Sequence, residues 1–260
     1  MHAKILHIWG DLYINSFGLM ITLGILVSLW LMNKDPERKK ILSTDKLINI
    51  FFLGILISLV GSRVFHFLTD PDEAISIYNL IAIWQPGFSI IGAIVAISIF
   101  LPLLLRYYNI PIIKFLDLIF CYTPLLQSIS RIGCFFAGCC HGTQTTMPWA
   151  IMYSDKFSSA PLGTPLHPTQ IYTSIILLAI FLFFYLRKKY LYKISGLITF
   201  LYLFLIGLER FIFDFFRADR IFCAQNKYFC ILSTHQWASL CLILFATAWF
   251  SFYKYKYKKL

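Results

Sequence analysis

The chain has 260 residues, of which 59% are hydrophobic and only 13% are charged, and its formal net charge is +11. Soluble domains carry about 25% charged residues, so this chain has too little polar surface to cover a water-soluble globule, and a bilayer must surround most of it. Its basic residues are scattered over short loops, which argues against a nucleic-acid partner.

Apolar stretches of about 20 residues, the length that crosses a bilayer as a helix, recur along the chain. They predict an all-α, polytopic membrane protein in which residues 1–260 form a single transmembrane domain. The first stretch lacks the small-residue cleavage site of a signal peptide, so we interpret it as a retained helix. The predicted spans are 14–32, 46–68, 88–107, 115–136, 167–187, 195–216 and 233–253.

The basic residues divide unequally between the two sides of these spans. The loops after the first, third and fifth spans, together with the C-terminal tail, contain 15 lysines and arginines, whereas the segments on the opposite side contain five. Loops with an excess of basic residues face the cytoplasm. We therefore predict that the N-terminus is outside and the C-terminus is in the cytoplasm.

Three arginines lie inside predicted spans: Arg63, Arg131 and Arg210. Each lies 15 to 17 residues into a span that runs from inside to outside, which places all three at a similar depth in the outer half of the membrane. A single arginine of this kind can extend its guanidinium group to the boundary between membrane and water. Three at one depth instead predict a shared anion pocket, because the planar guanidinium binds phosphate through two parallel hydrogen bonds.

Other polar and glycine-rich residues occur at the same level. Asp214 follows Arg210 by four residues and Arg217 follows it by seven, so the three share a helix face. Asp214 either holds Arg210 in a structural ion pair or acts directly in catalysis. Gly133 and Gly142 permit close approach of the backbone, either to a phosphate or to a neighbouring helix.

Four residues of the types that bind metals or act as nucleophiles follow closely on one another at the end of the fourth span: Cys134, Cys139, Cys140 and His141. Their spacing is not a usual zinc pattern, so we predict no metal site. They are either small packing residues or, for Cys139 and Cys140, candidate nucleophiles. Two further cysteines in an outer loop, Cys223 and Cys230, could form a disulfide in an oxidising compartment.

Five segments resemble motifs of the bacterial prolipoprotein diacylglyceryl transferases. In chain order they are residues 17–20, 61–63, 131–142, 167–172 and 209–217. The resemblance implies an enzyme of the bacterial inner membrane that needs no cofactor. Its active site faces the periplasm, and it moves the diacylglyceryl group of phosphatidylglycerol onto the lipobox cysteine of a prolipoprotein. The implied partners are phosphatidylglycerol, the signal-peptide and lipobox region of the prolipoprotein, and membrane lipids.

The resemblance also implies site residues. Arg131 and Arg210 take the family's two essential arginine positions, where they would bind the lipid phosphate and stabilise the transition state. The other predicted catalytic residues are His167 and Asp214. The predicted substrate-binding residues are Arg63, Gly133, Gly142, Gln170, Tyr172 and Arg217, and the candidate bases or nucleophiles are His141, Cys139 and Cys140.

The chain departs from the family pattern at several positions. Ile91 stands where the family has the histidine of a His-Gly-Gly motif, a proposed base, and Thr173 replaces a glutamate. His66, His141 and His167 are candidate replacements for the base, because histidine takes up a proton near neutral pH. Two other functions stay open. One is a divergent transferase that uses Cys139 or Cys140 as its nucleophile or acts on another acceptor, and the other is a phospholipid-binding membrane protein without catalysis.

Overall fold

The N-terminal part of the chain forms a small hairpin. The computed structural model describes residues 4–9, 12–69, 87–222 and 232–258, so the predicted Cys223–Cys230 disulfide lies outside the described residues. Strands β1 (Lys4–Trp9) and β2 (Leu12–Asn15) pair in antiparallel fashion, which the hydropathy pattern did not predict. Each strand is far shorter than the about 20 residues that cross a bilayer as a helix, so neither produces a membrane-spanning hydropathy signal.

Eight α-helices follow within the described residues, and seven of them coincide with the seven predicted spans. They are α1 Ser16–Lys34, α2 Pro36–Ile41, α3 Thr44–Thr69, α4 Ile90–Tyr107, α5 Ile112–Ala137, α6 Thr169–Leu191, α7 Leu197–Phe213 and α8 Thr234–Lys258. Six of them have the length and hydropathy to cross a membrane. Helix α7 has 17 residues, at the lower end of the range of about 17–25 that spans a bilayer. The predicted polytopic helical fold is confirmed.

The chain folds into two compact units, one of residues 33–115 and one of residues 1–32 with 116–260. In the first of these, α3 and α4 cross closely because both carry a glycine at the contact. A Cβ atom on Gly61 would overlap Ala96 and would lie 2.9 Å from the carbonyl oxygen of Gly92. Small residues at such crossings bring membrane helices into van der Waals contact, which is a main source of their association in lipid.

Polar contacts orient the helices of the larger unit. Ser128 on α5 and Ser174 on α6 each donate a hydroxyl hydrogen bond to the other's carbonyl oxygen, at 2.8 and 2.9 Å. Buried Asp117 on α5 accepts hydrogen bonds from the backbone N–H of Gly196 at 2.6 Å and of Thr199 at 2.9 Å. These N–H groups would otherwise be unsatisfied at the start of α7. The contacts hold α5, α6 and α7 together. Asp117 lies at the ends of α5 and α7 opposite the candidate site, and the Ser128–Ser174 contact lies next to the site.

Candidate functional site

Three arginines of the larger unit line one cavity at the C-terminal ends of α5 and α7 and the N-terminal end of α6. We call it the arginine cavity, and its lining residues are Arg131, Cys140, Thr169, Gln170, Thr173, Glu209, Arg210, Phe213 and Arg217. Glu209 is the only acidic residue among these lining residues, so the wall carries an excess of positive charge. A cavity of this kind attracts a phosphate or another anion.

Asp214 lies behind Arg210 and is almost fully buried, with 1% of its surface exposed. Its carboxylate lies 4.0 Å from the Arg210 guanidinium and 3.5 Å from that of Arg220, and it accepts a hydrogen bond from the Ser233 hydroxyl. Neither Ser233 nor Arg220 was predicted as a partner, because both lie beyond the motif in sequence. Asp214 therefore connects the end of α7 to Arg220 in the segment that follows it and to Ser233, the residue that precedes α8.

Arg217 is held by a second acidic residue. Its Nε donates to Asp219 Oδ1 at 2.7 Å and its guanidinium lies 2.5 Å from Oδ2 of the same carboxylate. Burial acts against the charge of Arg217, but the hydrogen bonds to Asp219, the charge of Asp219 and the interaction with Cys140 together outweigh it and raise the pKa of Arg217 above its usual value. The same hydrogen bonds lower the pKa of Asp219. Arg217 therefore contributes a fixed positive charge to the cavity.

Gly142 joins three segments of backbone. Its N–H donates to the carbonyl oxygen of His167 at 3.0 Å, and it pairs with Arg217 in an isolated β-bridge. A Cβ atom at this position would lie 2.5 Å from His167 Cβ and 2.9 Å from the carbonyl oxygen of Phe216. Of the two predicted uses of this glycine, the observed contacts correspond to close packing, because its N–H is engaged within the protein.

His167 and Tyr172 interact with each other at the start of α6. His167 Nδ1 lies 3.3 Å from the Tyr172 hydroxyl oxygen, which also accepts a hydrogen bond from the Trp149 indole at 2.6 Å. The imidazole packs edge-on against the ring of Phe216. His167 thus bridges α6 and the end of α7, and neither it nor Tyr172 is among the residues that line the arginine cavity.

Gln170 and Thr169 bind the turn that carries the cysteines. Gln170 is 1% exposed and donates from Nε2 to the carbonyl oxygen of Cys139 at 2.8 Å, and Thr169 Oγ1 donates to the carbonyl oxygen of Cys140 at the same distance. The Gln170 Oε1 atom is buried and accepts no hydrogen bond from any residue in the described part of the chain. It is therefore a free acceptor in a residue that lines the cavity.

The structure brings together three cysteines that the sequence spacing did not mark as a site. The sulfur atoms of Cys134, Cys139 and Cys140 all lie within 4.8 Å of one another, and we call this group the thiol cluster. Hydrogen bonding to the Cys134 and Cys139 thiols lowers the pKa of Cys140. The positive charges of Arg217 and Arg131 act in the same direction. Neighbouring His141 places its Nδ1 atom 3.1 Å from the carbonyl oxygen of Gly142.

Two other predicted site residues are not among the residues that line the arginine cavity. Arg63 belongs to the unit of residues 33–115, where it donates to the carbonyl oxygen of Gly87 at 2.8 Å and lies 4.6 Å from the centre of the Phe88 ring. Its predicted role in phosphate binding stays a prediction. Gly133 packs α5 against α1, since a Cβ atom there would lie 3.0 Å from Phe17 Cα.

Four residues that line the cavity were not predicted as site residues: Thr169, Thr173, Glu209 and Phe213. Glu209 is buried and directly precedes Arg210, so a buried acid next to a predicted phosphate ligand was the available signal. Thr169 lies within the segment that resembles a family motif, but its contact with the cysteine turn depends on tertiary packing.

Comparison with known proteins identifies relatives along almost the whole chain. Residues 3–252 match the family described as prolipoprotein diacylglyceryl transferase. The chain is 35% identical over 235 residues to the phosphatidylglycerol–prolipoprotein diacylglyceryl transferase of Clostridium tetani, with 90% of each chain covered. It is 32% identical to the protein named transferase 2 of Clostridium perfringens, covering 95% of this chain and 94% of that one. It is 30% identical to the transferase of Wolbachia pipientis, covering 80% and 79%.

Proposed function

Since the chain belongs to the prolipoprotein diacylglyceryl transferase family, we propose that Arg131 and Arg210 bind the phosphate of the lipid donor in the arginine cavity. The enzyme transfers the diacylglyceryl group of phosphatidylglycerol to a cysteine thiol of prolipoproteins. The observation that carries the proposal is that Arg131, Arg210 and Arg217 line one cavity.

Phosphate is the group whose charge changes in this reaction. The acceptor sulfur attacks the glyceryl carbon next to the phosphate ester, a C–S bond forms, and the C–O bond breaks with its electron pair going to glycerol phosphate. Fixed guanidinium groups lower the barrier by stabilising the charge that develops on the leaving oxygen. Arg131 on α5 and Arg210 on α7 approach this position from separate helices, so one phosphate can contact both.

Neighbouring residues support the two arginines that would bind the phosphate. Asp214 lies against Arg210 and limits its conformations, while Arg217 is already occupied by Asp219 and adds to the positive potential. Gln170 supplies the buried Oε1 acceptor, which suits a hydroxyl group of the glycerol head group. His167 orders the start of α6, and we propose no proton transfer through it.

The proposal includes the side of the membrane from which the acceptor enters. The excess of basic residues in the predicted cytoplasmic loops supports a location of the cavity toward the periplasmic side of the inner membrane. A secreted prolipoprotein presents its lipobox cysteine there, at the end of its signal peptide. The positive potential of the cavity favours the thiolate form of that cysteine, which is the nucleophilic form.

Conservative substitutions of the two arginines test the proposal. Arg131→Lys and Arg210→Lys keep the charge but remove the planar fork, and Arg106→Lys on α4 is the matched control at a basic residue outside the cavity. Glycerol phosphate release is measured from phosphatidylglycerol vesicles with a lipobox peptide as acceptor. We expect each cavity variant to lose about 100-fold or more in kcat, as for removal of one oxyanion donor, and the control to retain its rate. Equal rates in all three variants would contradict the proposal.

A further inference from the structure

The thiol cluster is built by a sharp reversal of the chain after α5. Cys134 lies in the last turn of that helix, which ends at Ala137. Gly138 and Cys140 then adopt positive φ angles of 75° and 58°. This reversal brings the side chains of Cys139 and Cys140 back to Cys134, so that all three sulfur atoms lie within 4.8 Å.

The surroundings hold this reversal in place. A non-glycine residue such as Cys140 is strained in the left-handed region, and neighbouring contacts must offset that strain. Thr169 and Gln170 on α6 supply them by donating to the carbonyl oxygens of Cys140 and Cys139. A side chain at position 138 would overlap Ser158. The three thiols are therefore arranged by packing before any ligand binds.

We propose that Cys134, Cys139 and Cys140 bind one Zn²⁺ ion, whose fourth coordination position takes the thiolate of the acceptor cysteine. Thiolate sulfur selects soft and borderline-soft ions, and three protein ligands with one open position are typical of catalytic zinc. Tetrahedral zinc with Zn–S bonds of about 2.3 Å needs sulfur atoms about 3.8 Å apart. Sulfur atoms within 4.8 Å need to approach by no more than about 1 Å.

The position of the cluster relative to the phosphate site supports this role, which rests on the proposed function. Cys140 lines the same cavity as Arg131 and Arg210, so an ion held by Cys140 lies beside the proposed phosphate position. Zinc with three thiolates carries a net charge of −1. The arginines of the cavity offset that charge, so the cluster does not repel the anionic lipid.

The chemistry that zinc adds is ionisation of the acceptor. A thiol that coordinates a metal ion loses its proton, which leaves for solvent water. The bound sulfur attacks the glyceryl carbon, and the C–O bond to phosphate breaks as described above. The resulting thioether is neutral and a weaker zinc ligand than a thiolate, so the product dissociates and the fourth position opens again. Zinc keeps its oxidation state throughout.

Metal content is the first test, and it does not depend on activity. The full chain is purified in detergent under reducing conditions, equilibrated with Zn²⁺, and analysed by mass spectrometry for zinc. The triple variant C134S/C139S/C140S is compared with C121S/C241S, which removes two cysteines outside the cluster. We expect about one zinc per chain in the wild type and in the control, and at least a tenfold loss in the triple variant. A zinc-free wild type, a disulfide within the cluster, or equal zinc in all three proteins overturns the proposal.

Cobalt substitution tests the open position. Co²⁺ bound to thiolates gives a sulfur-to-metal charge-transfer band, and we expect a cysteine-containing lipobox peptide to intensify it while the serine analogue does not. No change with the cysteine peptide, or a lipid attached covalently to Cys139 or Cys140, overturns the role in acceptor binding. Arg131→Lys separates the two proposals, because it should slow transfer and leave the zinc content unchanged. If the triple variant transfers at the wild-type rate, the zinc role fails and the proposed function stands.

Discussion

Replacement of Asp214 by asparagine separates a positioning role from a role in proton transfer. With an effective dielectric constant of about 20, two unit charges at the 4.0 Å separation of Asp214 and Arg210 attract by about 4 kcal/mol before desolvation is counted. Removal of one partner from a buried ion pair costs about 3–5 kcal/mol, because the other charge stays buried and uncompensated. Asp214 is 1% exposed and lies near both Arg210 and Arg220. We therefore expect Asp214→Asn to lower the free energy of unfolding by an amount in this range.

The assay combines stability with kinetics. Thermal unfolding in detergent should show a clear loss of stability, and kcat for glycerol phosphate release should fall by about 100-fold, the cost of a misplacement of about 1 Å in the reacting groups. The pH profile of the remaining activity should match that of the wild type, and Asp214→Glu should recover part of the rate. A variant as stable and active as the wild type would exclude the positioning role of Asp214. A shifted pH profile would instead assign proton transfer to Asp214.

Two further predictions concern the segments around the site. Because Arg217 lowers the pKa of Asp219, the contribution of this pair to stability is present above the unfolded-state pKa of about 3.9 and is lost as the pH falls through the lower folded-state value. The difference in melting temperature between the wild type and Asp219→Asn should therefore shrink toward zero in acid, and a difference that stays constant with pH would exclude the linkage. Gly142→Ala should cost about 1–3 kcal/mol through overpacking against His167, measured by thermal unfolding. Gly18→Ala is the matched control, since a Cβ atom there meets nothing within 4 Å, and equal effects of the two substitutions would count against the packing role of Gly142.

The site combines two kinds of chemistry at one cavity. In the two proposals above, the arginines act on the leaving phosphate and the thiol cluster acts on the incoming sulfur. Cys140 belongs to both, because its side chain lines the cavity and its sulfur is part of the cluster. Ile91 and Thr173 stand where the resemblance leads one to expect a histidine and a glutamate. Ionisation of the acceptor by a metal ion would make a histidine base at position 91 unnecessary.

Some predicted features depended only on hydrophobicity and spacing. The span predicted at 115–136 is α5, Ile112–Ala137, and the span predicted at 167–187 is α6, Thr169–Leu191. A long apolar segment has one way to satisfy its backbone hydrogen bonds in lipid, namely a helix, so its position can be found without knowledge of its neighbours. The similar depth of Arg131 and Arg210 followed in the same way from their offsets along two spans.

Other features depended on which helix faces meet. The spacing of Cys134, Cys139 and Cys140 did not indicate a site, because their proximity comes from positive φ angles at Gly138 and Cys140 and from donors on α6. Arg210 was predicted as a partner of Asp214, but its two other partners were beyond prediction, since Ser233 precedes α8 and Arg220 follows the motif. Gly142 matched the family pattern, but the pattern does not show that this glycine packs between three segments. That role depends on the position of the His167 and Phe216 backbone around it.

Motif resemblance predicted the enzyme family, and hydropathy with helical rise predicted where the helices lie and which arginines share a depth, because burial in lipid and helical rise act on each segment separately. Contacts between distant segments are needed to bring Arg217 to the cavity with Arg131 and Arg210 and to gather three cysteines beside it. The rotation of each helix about its axis and the path of the turn after α5 arise from contacts between segments distant in sequence, and these contacts bring the reactive groups together.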